Sequence, residues 1–124
     1  MIKTLLLIGS GGFFGSVSRF LASKFIQNQF PSAFPYGTLF VNFAGCFLLG
    51  LIYGLSERNS FFTPGWKMFL TVGFCGGFTT FSAFANENLA LFRDGDFLNF
   101  LLYSGSSVFL GIAATFAGVF ITKI

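Results

Sequence analysis

The sequence predicts an all-α membrane protein in which four helices cross the bilayer and the third helix is broken. Of its 124 residues, 54% are hydrophobic and only 9% are charged, whereas a soluble domain carries about 25% charged residues. Such a chain cannot cover its own surface in water. Because a spanning helix uses about 20 residues, we expect residues 1–124 to form one domain of four spans with short connections.

Polar and proline-containing turns separate the four predicted spans. Residues 3–8 resemble the start of a signal peptide, but no small-x-small cleavage site follows, so we interpret them as part of a retained first helix. Loops are predicted at residues 27–35, 56–65 and 93–96. The predicted spans cover about 3–26, 37–55, 66–92 and 97–122. Small residues four apart on every span predict close helix packing in lipid.

The break is predicted within residues 73–84, which read Gly-Phe-Cys-Gly-Gly-Phe-Thr-Thr-Phe-Ser-Ala-Phe. Lipid cannot solvate a free N–H or C=O, so irregular backbone at this depth persists only where protein or an aqueous cavity satisfies it. A helix that begins near Thr80 presents N–H groups that favour anions. The carbonyls of residues 76–79 are oxygen ligands that suit a small cation. The interrupted span therefore indicates an ion pathway. Two carbonyls from each of two identical subunits would give a cation four oxygen ligands, which favours a homodimer with the break on its two-fold axis.

Aromatic and polar side chains near the break are candidate pore residues. Phe81 and Phe84 are three residues apart, so a helix that resumes after the two threonines sets both rings on one face. Because an aromatic ring is positive at its edge, two ring edges can contact a small anion without the tight binding of charged donors. The amide of Asn42 and the hydroxyls of Thr80 or Ser82 can supply conventional donors.

The remaining polar residues of the spans have structural and functional interpretations. Thr38 lies one helical turn before Asn42, whose amide could equally bond a neighbouring helix. Tyr103 and Ser107 share a stripe on the fourth span, where hydroxyls often bond their own helix. Arg19 is costly inside a span unless it is paired, hydrated or near an interface. It can snorkel, bond a helix C-terminus or draw anions into a vestibule, and structural anchoring is the favoured interpretation.

Several function classes are excluded by composition. The net charge of +3 is small and evenly spread, so nucleic-acid binding is not expected. The chain has no histidine, and Cys46 and Cys75 lack the spacing of metal ligands, so a metalloenzyme has no basis. The sequence also shows no paired nucleophile and base, so no other class of enzyme is expected. Four positive residues on one predicted membrane face against two or three on the other is only a weak bias, so one orientation is not strongly favoured.

Three blocks in order along the chain resemble the Fluc/CrcB family of small bacterial fluoride channels, and the resemblance covers essentially the full length. The blocks are Gly11-Gly12-x-x-Gly15-x-x-x-Arg19-Phe20, Gly37-Thr38-Leu39-x-Val41-Asn42-x-x-Gly45, and Gly73-x-x-Gly76-Gly77-x-Thr79-Thr80-Phe81-Ser82-x-Phe84. Any one glycine pattern would be weak, but the ordered set on four spans is specific. One departure is Ala83, where a threonine is expected between the two rings.

The resemblance implies an antiparallel, dual-topology homodimer in a bacterial inner membrane, with two fluoride pores along the subunit interface. Such channels let fluoride leave the cytoplasm passively. It further implies a structural sodium ion at the dimer centre, held by the backbone carbonyls of Gly76 and Thr79. The pore residues that it implies are Phe81 and Phe84 as an aromatic box, Asn42 as a pore-lining amide, Arg19 in the vestibule, and Thr38, Ser82, Tyr103 and Ser107 as a polar track.

The alternative function is a small proton-coupled multidrug exporter, which is also a four-span dual-topology dimer. Proton coupling there needs a membrane-embedded carboxylate, commonly on the first span. Glu87, toward the end of the third span, is the only acidic residue well inside a span. A scaffold protein without transport is a second alternative, but it would be served better by continuous helices.

Overall fold

The computed structural model describes residues 1–58 and 63–123, and within them the regular structure is entirely helical. The predicted loop at 56–65 lies partly outside these residues. The helices in chain order are α1 (Ile2–Gln29), α2 (Tyr36–Arg58), α3 (Pro64–Met68), a π-helical segment (Phe69–Cys75), α4 (Gly76–Phe78), α5 (Phe81–Arg93) and α6 (Phe97–Lys123).

Four helical stretches are long and apolar enough to cross a membrane. They are Ile2–Gln29, Tyr36–Arg58, Pro64–Arg93 and Phe97–Lys123, with mean hydropathies between 1.4 and 1.9. The third stretch contains α3, the π-helical segment, α4 and α5, with a break after α4. The predictions of an all-α fold, four spanning helices and a broken third helix are confirmed. The chain is a multi-pass membrane protein.

Local sequence explains where the short connections begin and end. The hydroxyl of Thr63 accepts a hydrogen bond from the Trp66 N–H at 3.2 Å, so it caps α3 at its N-terminus. Between α5 and α6, Gly95 has a φ of 74°, which glycine adopts without steric cost. A carboxylate oxygen of Asp96 then accepts from the Asn99 N–H at 3.3 Å and starts α6.

One side chain organises the connection between α1 and α2. Gln27 donates from Nε2 to the carbonyl of Phe34 at 3.2 Å, and its Oε1 accepts from the Gly37 N–H at 3.0 Å. The second bond satisfies the Gly37 N–H in the first turn of α2, and the first adds a second donor to a carbonyl that also accepts from the Tyr36 N–H. The loop holds the Phe34 ring edge-on against the ring of Tyr103 in α6, with a centroid distance of 5.5 Å.

Glycine allows the backbones of two helix pairs to approach closely. A Cβ added to Gly73 would lie 3.0 Å from the Cα of Gly11 in α1, so the third span packs directly on the α1 backbone. On the other side of the bundle, a Cβ on Gly118 of α6 would lie 2.8 Å from the Leu51 nitrogen in α2. Both contacts agree with the predicted packing through small residues, which lets helices associate in lipid.

Candidate ion pathway at the interrupted third span

The break consists of two extended residues, each stabilised by its own hydroxyl. Thr79 has φ −90° and ψ 156°, and Thr80 has φ −150° and ψ 123°. The Thr79 hydroxyl and N–H both donate to the carbonyl of Cys75, at 2.9 and 3.0 Å, and so cap the incoming helix. The Thr80 hydroxyl accepts from the Ala83 N–H at 3.2 Å and caps α5. The paired threonines therefore end one helix and start the next.

Wider helical turns precede the break. The π-helical segment Phe69–Cys75 leads directly into α4, and sequence analysis did not anticipate it. Turns of this kind are uncommon and are often found at functional sites. The glycines at 73, 76 and 77 disfavour a regular α-helix, but they do not specify which irregular helix forms.

Asn42 of α2 satisfies the exposed backbone of the break. Its Oδ1 accepts from the Thr80 N–H at 2.7 Å, and its Nδ2 donates to the Thr80 carbonyl at 3.0 Å. The side-chain amide thus replaces the peptide partner that a continuous helix would have provided. Asn42 therefore bonds a neighbouring helical span, which is the structural interpretation given for it in the sequence analysis. The second hydrogen of its NH₂ group remains available as a donor.

Arg19 of α1 bonds the end of the incoming helix. Its Nε donates to the carbonyl of Gly77 at 3.1 Å, and a cation at a helix C-terminus is stabilised by the helix dipole. The structure therefore brings Arg19 to the break, 58 residues away in sequence. No hydrogen bond within residues 1–58 and 63–123 reaches the carbonyl oxygens of Gly76 or Thr79.

A cleft of about 260 Å³ opens beside the break, between α2, α5 and α6. Its lining brings together four of the residues that the sequence analysis assigned to a pore: Asn42, Phe81, Phe84 and Ser107. The Ser107 hydroxyl is buried and has no hydrogen-bond partner among the described residues. Leaving a buried donor unpaired costs about 1–3 kcal/mol. This hydroxyl is therefore an unpaired donor in the wall of the cleft.

The two aromatic rings of the cleft differ in burial. The centroids of Phe81 and Phe84 lie 5.6 Å apart with their planes inclined by 47°. Phe81 is 78% exposed in the single chain, whereas Phe84 is half-buried and packs against Tyr103, with a centroid distance of 5.0 Å. One wall of the cleft is therefore open at Phe81.

Thr38 and Tyr103 lie apart from this cleft and converge on Glu87. The Thr38 hydroxyl donates to Glu87 Oε2 at 2.9 Å, and the Tyr103 hydroxyl donates to Glu87 Oε1 at 3.0 Å. Ser82 is exposed, and its hydroxyl lies 3.3 Å from that of Thr80. The predicted polar track is thus divided: Ser107 lines the cleft, Thr38 and Tyr103 belong to a cluster centred on Glu87, and Ser82 lies in neither. Sequence analysis gave Glu87 no role.

A second, more polar cleft of about 460 Å³ lies at the end of the bundle near the α1–α2 loop. Thr38 and Glu87 are among its lining residues, together with Lys24 and Asp94. The Glu87 cluster therefore lies between a polar cleft and the Phe84 ring of the smaller cleft. The signal in the sequence was that Glu87 is the only acidic residue well inside a predicted span.

Comparison with known proteins assigns the chain to a family. A family model described as "CrcB-like protein, Camphor Resistance (CrcB)" matches residues 6–119. The chain belongs to this family. Its membership confirms the resemblance that the three motif blocks indicated.

Curated relatives match the chain over nearly its whole length, and each is named "Fluoride-specific ion channel FluC". The protein of Flavobacterium psychrophilum is 45% identical over 122 residues, covering 98% of both chains. That of Leptospira interrogans is 45% identical over 121 residues, covering 98% of this chain and 95% of the relative. That of Campylobacter jejuni is 41% identical over 123 residues, covering 99% of this chain and all of the relative. These relatives do not support the exporter alternative or an enzymatic function.

Proposed function

We propose that the protein is a fluoride channel through which fluoride leaves the bacterial cytoplasm passively across the plasma membrane. The observation that carries this proposal is the cleft at the break, where the free hydroxyl of Ser107 lies with the rings of Phe81 and Phe84. The three relatives described above, each named as a fluoride-specific channel, are 41–45% identical to this chain. The cleft supplies the chemistry that such an ion requires.

Fluoride is small and holds its water tightly, so a conducting site must replace that water without binding the ion too strongly. Ring edges of Phe81 and Phe84 carry partial positive charge, and the Ser107 hydroxyl and the free amide hydrogen of Asn42 donate conventional hydrogen bonds. All of these donors are neutral. In this proposal they stabilise fluoride in passing, whereas a charged donor in the same place would retain it.

Arg19 is proposed to act at the approach to the cleft. Its side chain is hydrogen-bonded to the Gly77 carbonyl. Its charge is therefore fixed at the end of the helix before the break, whereas the aromatic residues follow the break. A fixed positive charge near a pore raises the local concentration of anions. The same bond neutralises part of the negative end of the incoming helix. Arg19 thereby serves both the anchoring and the vestibule interpretations.

We further propose that two copies assemble as an antiparallel homodimer. In the single chain, Phe81 is 78% exposed and leaves one wall of the cleft open, and a second copy on this face would close that wall. The weak bias of positive residues between the membrane faces is compatible with insertion in both orientations. The dimer thus places each cleft along a subunit interface.

A sodium ion at the centre of this dimer would be held by the carbonyl oxygens of Gly76 and Thr79. These two carbonyl oxygens are suitable ligands for sodium, because neither accepts a hydrogen bond from the described residues and backbone carbonyls are hard ligands. Arg19 occupies the carbonyl of Gly77, which leaves the carbonyls of Gly76 and Thr79 to a cation. Bound there, sodium would neutralise carbonyl dipoles of both subunits and join them.

Purified protein in liposomes tests the proposed function. Vesicles loaded with fluoride are diluted into fluoride-free buffer, and release is followed with a fluoride electrode without a proton gradient. We expect fluoride to leave down its gradient and chloride to leave far more slowly. Folded protein that releases no fluoride would contradict the proposal, and release that requires a proton gradient would contradict a passive channel.

A further inference from the structure

Glu87 joins three of the spanning helices through its carboxylate. It lies on α5, and its two oxygens accept from different helices: Oε2 from Thr38 of α2 at 2.9 Å and Oε1 from Tyr103 of α6 at 3.0 Å. Both hydroxyls are committed to the same acceptor. Since a carboxylate inside a span is costly unless it is hydrogen-bonded, these donors also explain how Glu87 is tolerated there.

Helix α5 depends on such polar bonds for its position. Leu91 is its one buried residue, so apolar packing holds α5 weakly within a single chain. The other links to α2 and α6 are the bonds between Asn42 and Thr80 at its N-terminus and the bond from Ser104 to Asn88, at 3.1 Å. The Glu87 bonds lie between these two, in the middle of the helix.

Tyr103 connects Glu87 to the aromatic wall of the cleft. Its side chain is fully buried, with the Phe34 ring on it at 5.5 Å and the Phe84 ring at 5.0 Å. Phe84 precedes Glu87 by three residues, so both side chains project from one face of α5. A single tyrosine therefore receives the ring of Phe84 and donates its hydroxyl to Glu87.

We propose that Glu87 is a positioning residue that acts through Tyr103 and Thr38 to fix the ring of Phe84 in the cleft. The hydroxyls of Thr38 and Tyr103 donate to the Glu87 carboxylate and not to fluoride. In this proposal the ion contacts the unpaired donors of the smaller cleft instead. This inference rests on the proposed fluoride function and divides the predicted polar track into positioning and ion-contacting residues.

Variants of Glu87 test this role in the liposome assay. Glu87→Gln keeps the length of the side chain, but its amide oxygen can accept from only one of the two hydroxyls, so the other hydroxyl loses its acceptor. Glu87→Leu removes both interactions. We expect fluoride release to fall about threefold for Glu87→Gln, the change that matches one interhelical bond of about 0.6 kcal/mol, and further for Glu87→Leu. Glu57→Gln, at the exposed end of α2, is the matched control and should release fluoride at the wild-type rate.

Selectivity separates positioning from simple loss of folded protein. Fewer folded channels lower fluoride and chloride release by the same factor, whereas a displaced Phe84 ring lowers the ratio of fluoride to chloride release. We expect this ratio to fall for Glu87→Leu. Wild-type selectivity and rate in Glu87→Leu would overturn the proposal.

A double-mutant cycle tests the route through Tyr103. Tyr103→Phe keeps the ring and removes the hydroxyl, so its effect should overlap with that of Glu87→Leu, and the double variant should lose no more flux than Glu87→Leu alone. Independent, multiplicative losses would overturn the proposal. If Glu87→Leu does not fold, the same cycle with Glu87→Gln has the same two outcomes.

Hydrogen exchange provides a measurement that does not depend on transport. Exchange of the amides of residues 81–93 should quicken in Glu87→Leu, or in Glu87→Gln if the leucine variant does not fold, while amides of α1 stay unchanged. Unchanged exchange in α5 would contradict the positioning role. If the wild-type protein conducts no fluoride but the Glu87 variant still shows faster exchange in α5, the proposed function is refuted and the positioning of α5 remains supported.

Discussion

The two halves of the broken third span are held in different ways. Residues 64–78 lie against α1 with their backbones in contact, where a Cβ on Gly77 would approach the Gly12 carbonyl oxygen to 2.7 Å. Helix α5 has one buried residue and is held by hydrogen bonds from Asn42, Thr38 and Tyr103. One half is anchored by steric fit and the other by polar bonds. The half that carries the cleft rings Phe81 and Phe84 is the one whose position can be adjusted by single hydrogen-bonding residues.

Substitution of Gly73 should have the largest effect, because it disrupts the close backbone contact between α1 and the first half of the third span. A Cβ there would lie 3.0 Å from the Cα of Gly11 and 3.1 Å from the Ile8 carbonyl oxygen. Overpacking of this kind costs about 1–3 kcal/mol, and Gly73→Leu should strongly reduce the yield of monodisperse protein in detergent. Gly9→Leu is the control, since a Cβ on Gly9 meets nothing within 4 Å. Equal yields of the two variants would show that the close approach is not needed.

Substitution of Ser107 should have a smaller effect, confined to transport. Its buried hydroxyl has no partner in the described structure, so Ser107→Ala removes an unpaired polar group and should leave thermal stability unchanged or raised. Fluoride release should fall about threefold, by the loss of one donor worth about 0.6 kcal/mol in lipid.

Ser10→Ala is the matched control for that variant. The Ser10 hydroxyl donates to the Leu6 carbonyl of its own helix at 2.7 Å, so its removal should change neither property. Lower stability with unchanged flux in Ser107→Ala would show that this hydroxyl serves the fold and not the ion.

The sequence predicted the parts of the structure that depend on local chemistry. Low charge content indicated the four spans, and the adjacent Thr79 and Thr80 lie at the centre of the predicted break. A pair of hydroxyls that can cap helix ends in both directions is visible in the sequence alone. Phe81 and Phe84 likewise follow from helical spacing once the start of α5 is known.

Contacts that depend on helix rotation could not be predicted. Thr38 and Tyr103 lie 49 and 16 residues from Glu87, and the sequence does not show which faces of α2, α5 and α6 turn toward one another. For the same reason, Arg19 could be assigned to three roles until its bond to Gly77 was seen. The π-helical segment packs against α1, a contact that a propensity argument cannot include.

The central claim is that fluoride passes the aromatic cleft after the break, and exchange of one ring tests it most directly. Phe84→Ile is compared with Phe78→Ile, whose ring stacks on Phe74 before the break with centroids 5.6 Å apart. Both changes replace an aromatic side chain of the same span with the same aliphatic one. If ring edges stabilise the ion by about 1.4 kcal/mol, Phe84→Ile should slow fluoride release from liposomes about tenfold, while Phe78→Ile protein of equal monodispersity conducts normally. Wild-type release by Phe84→Ile, or an equal loss in both variants, would contradict the claim.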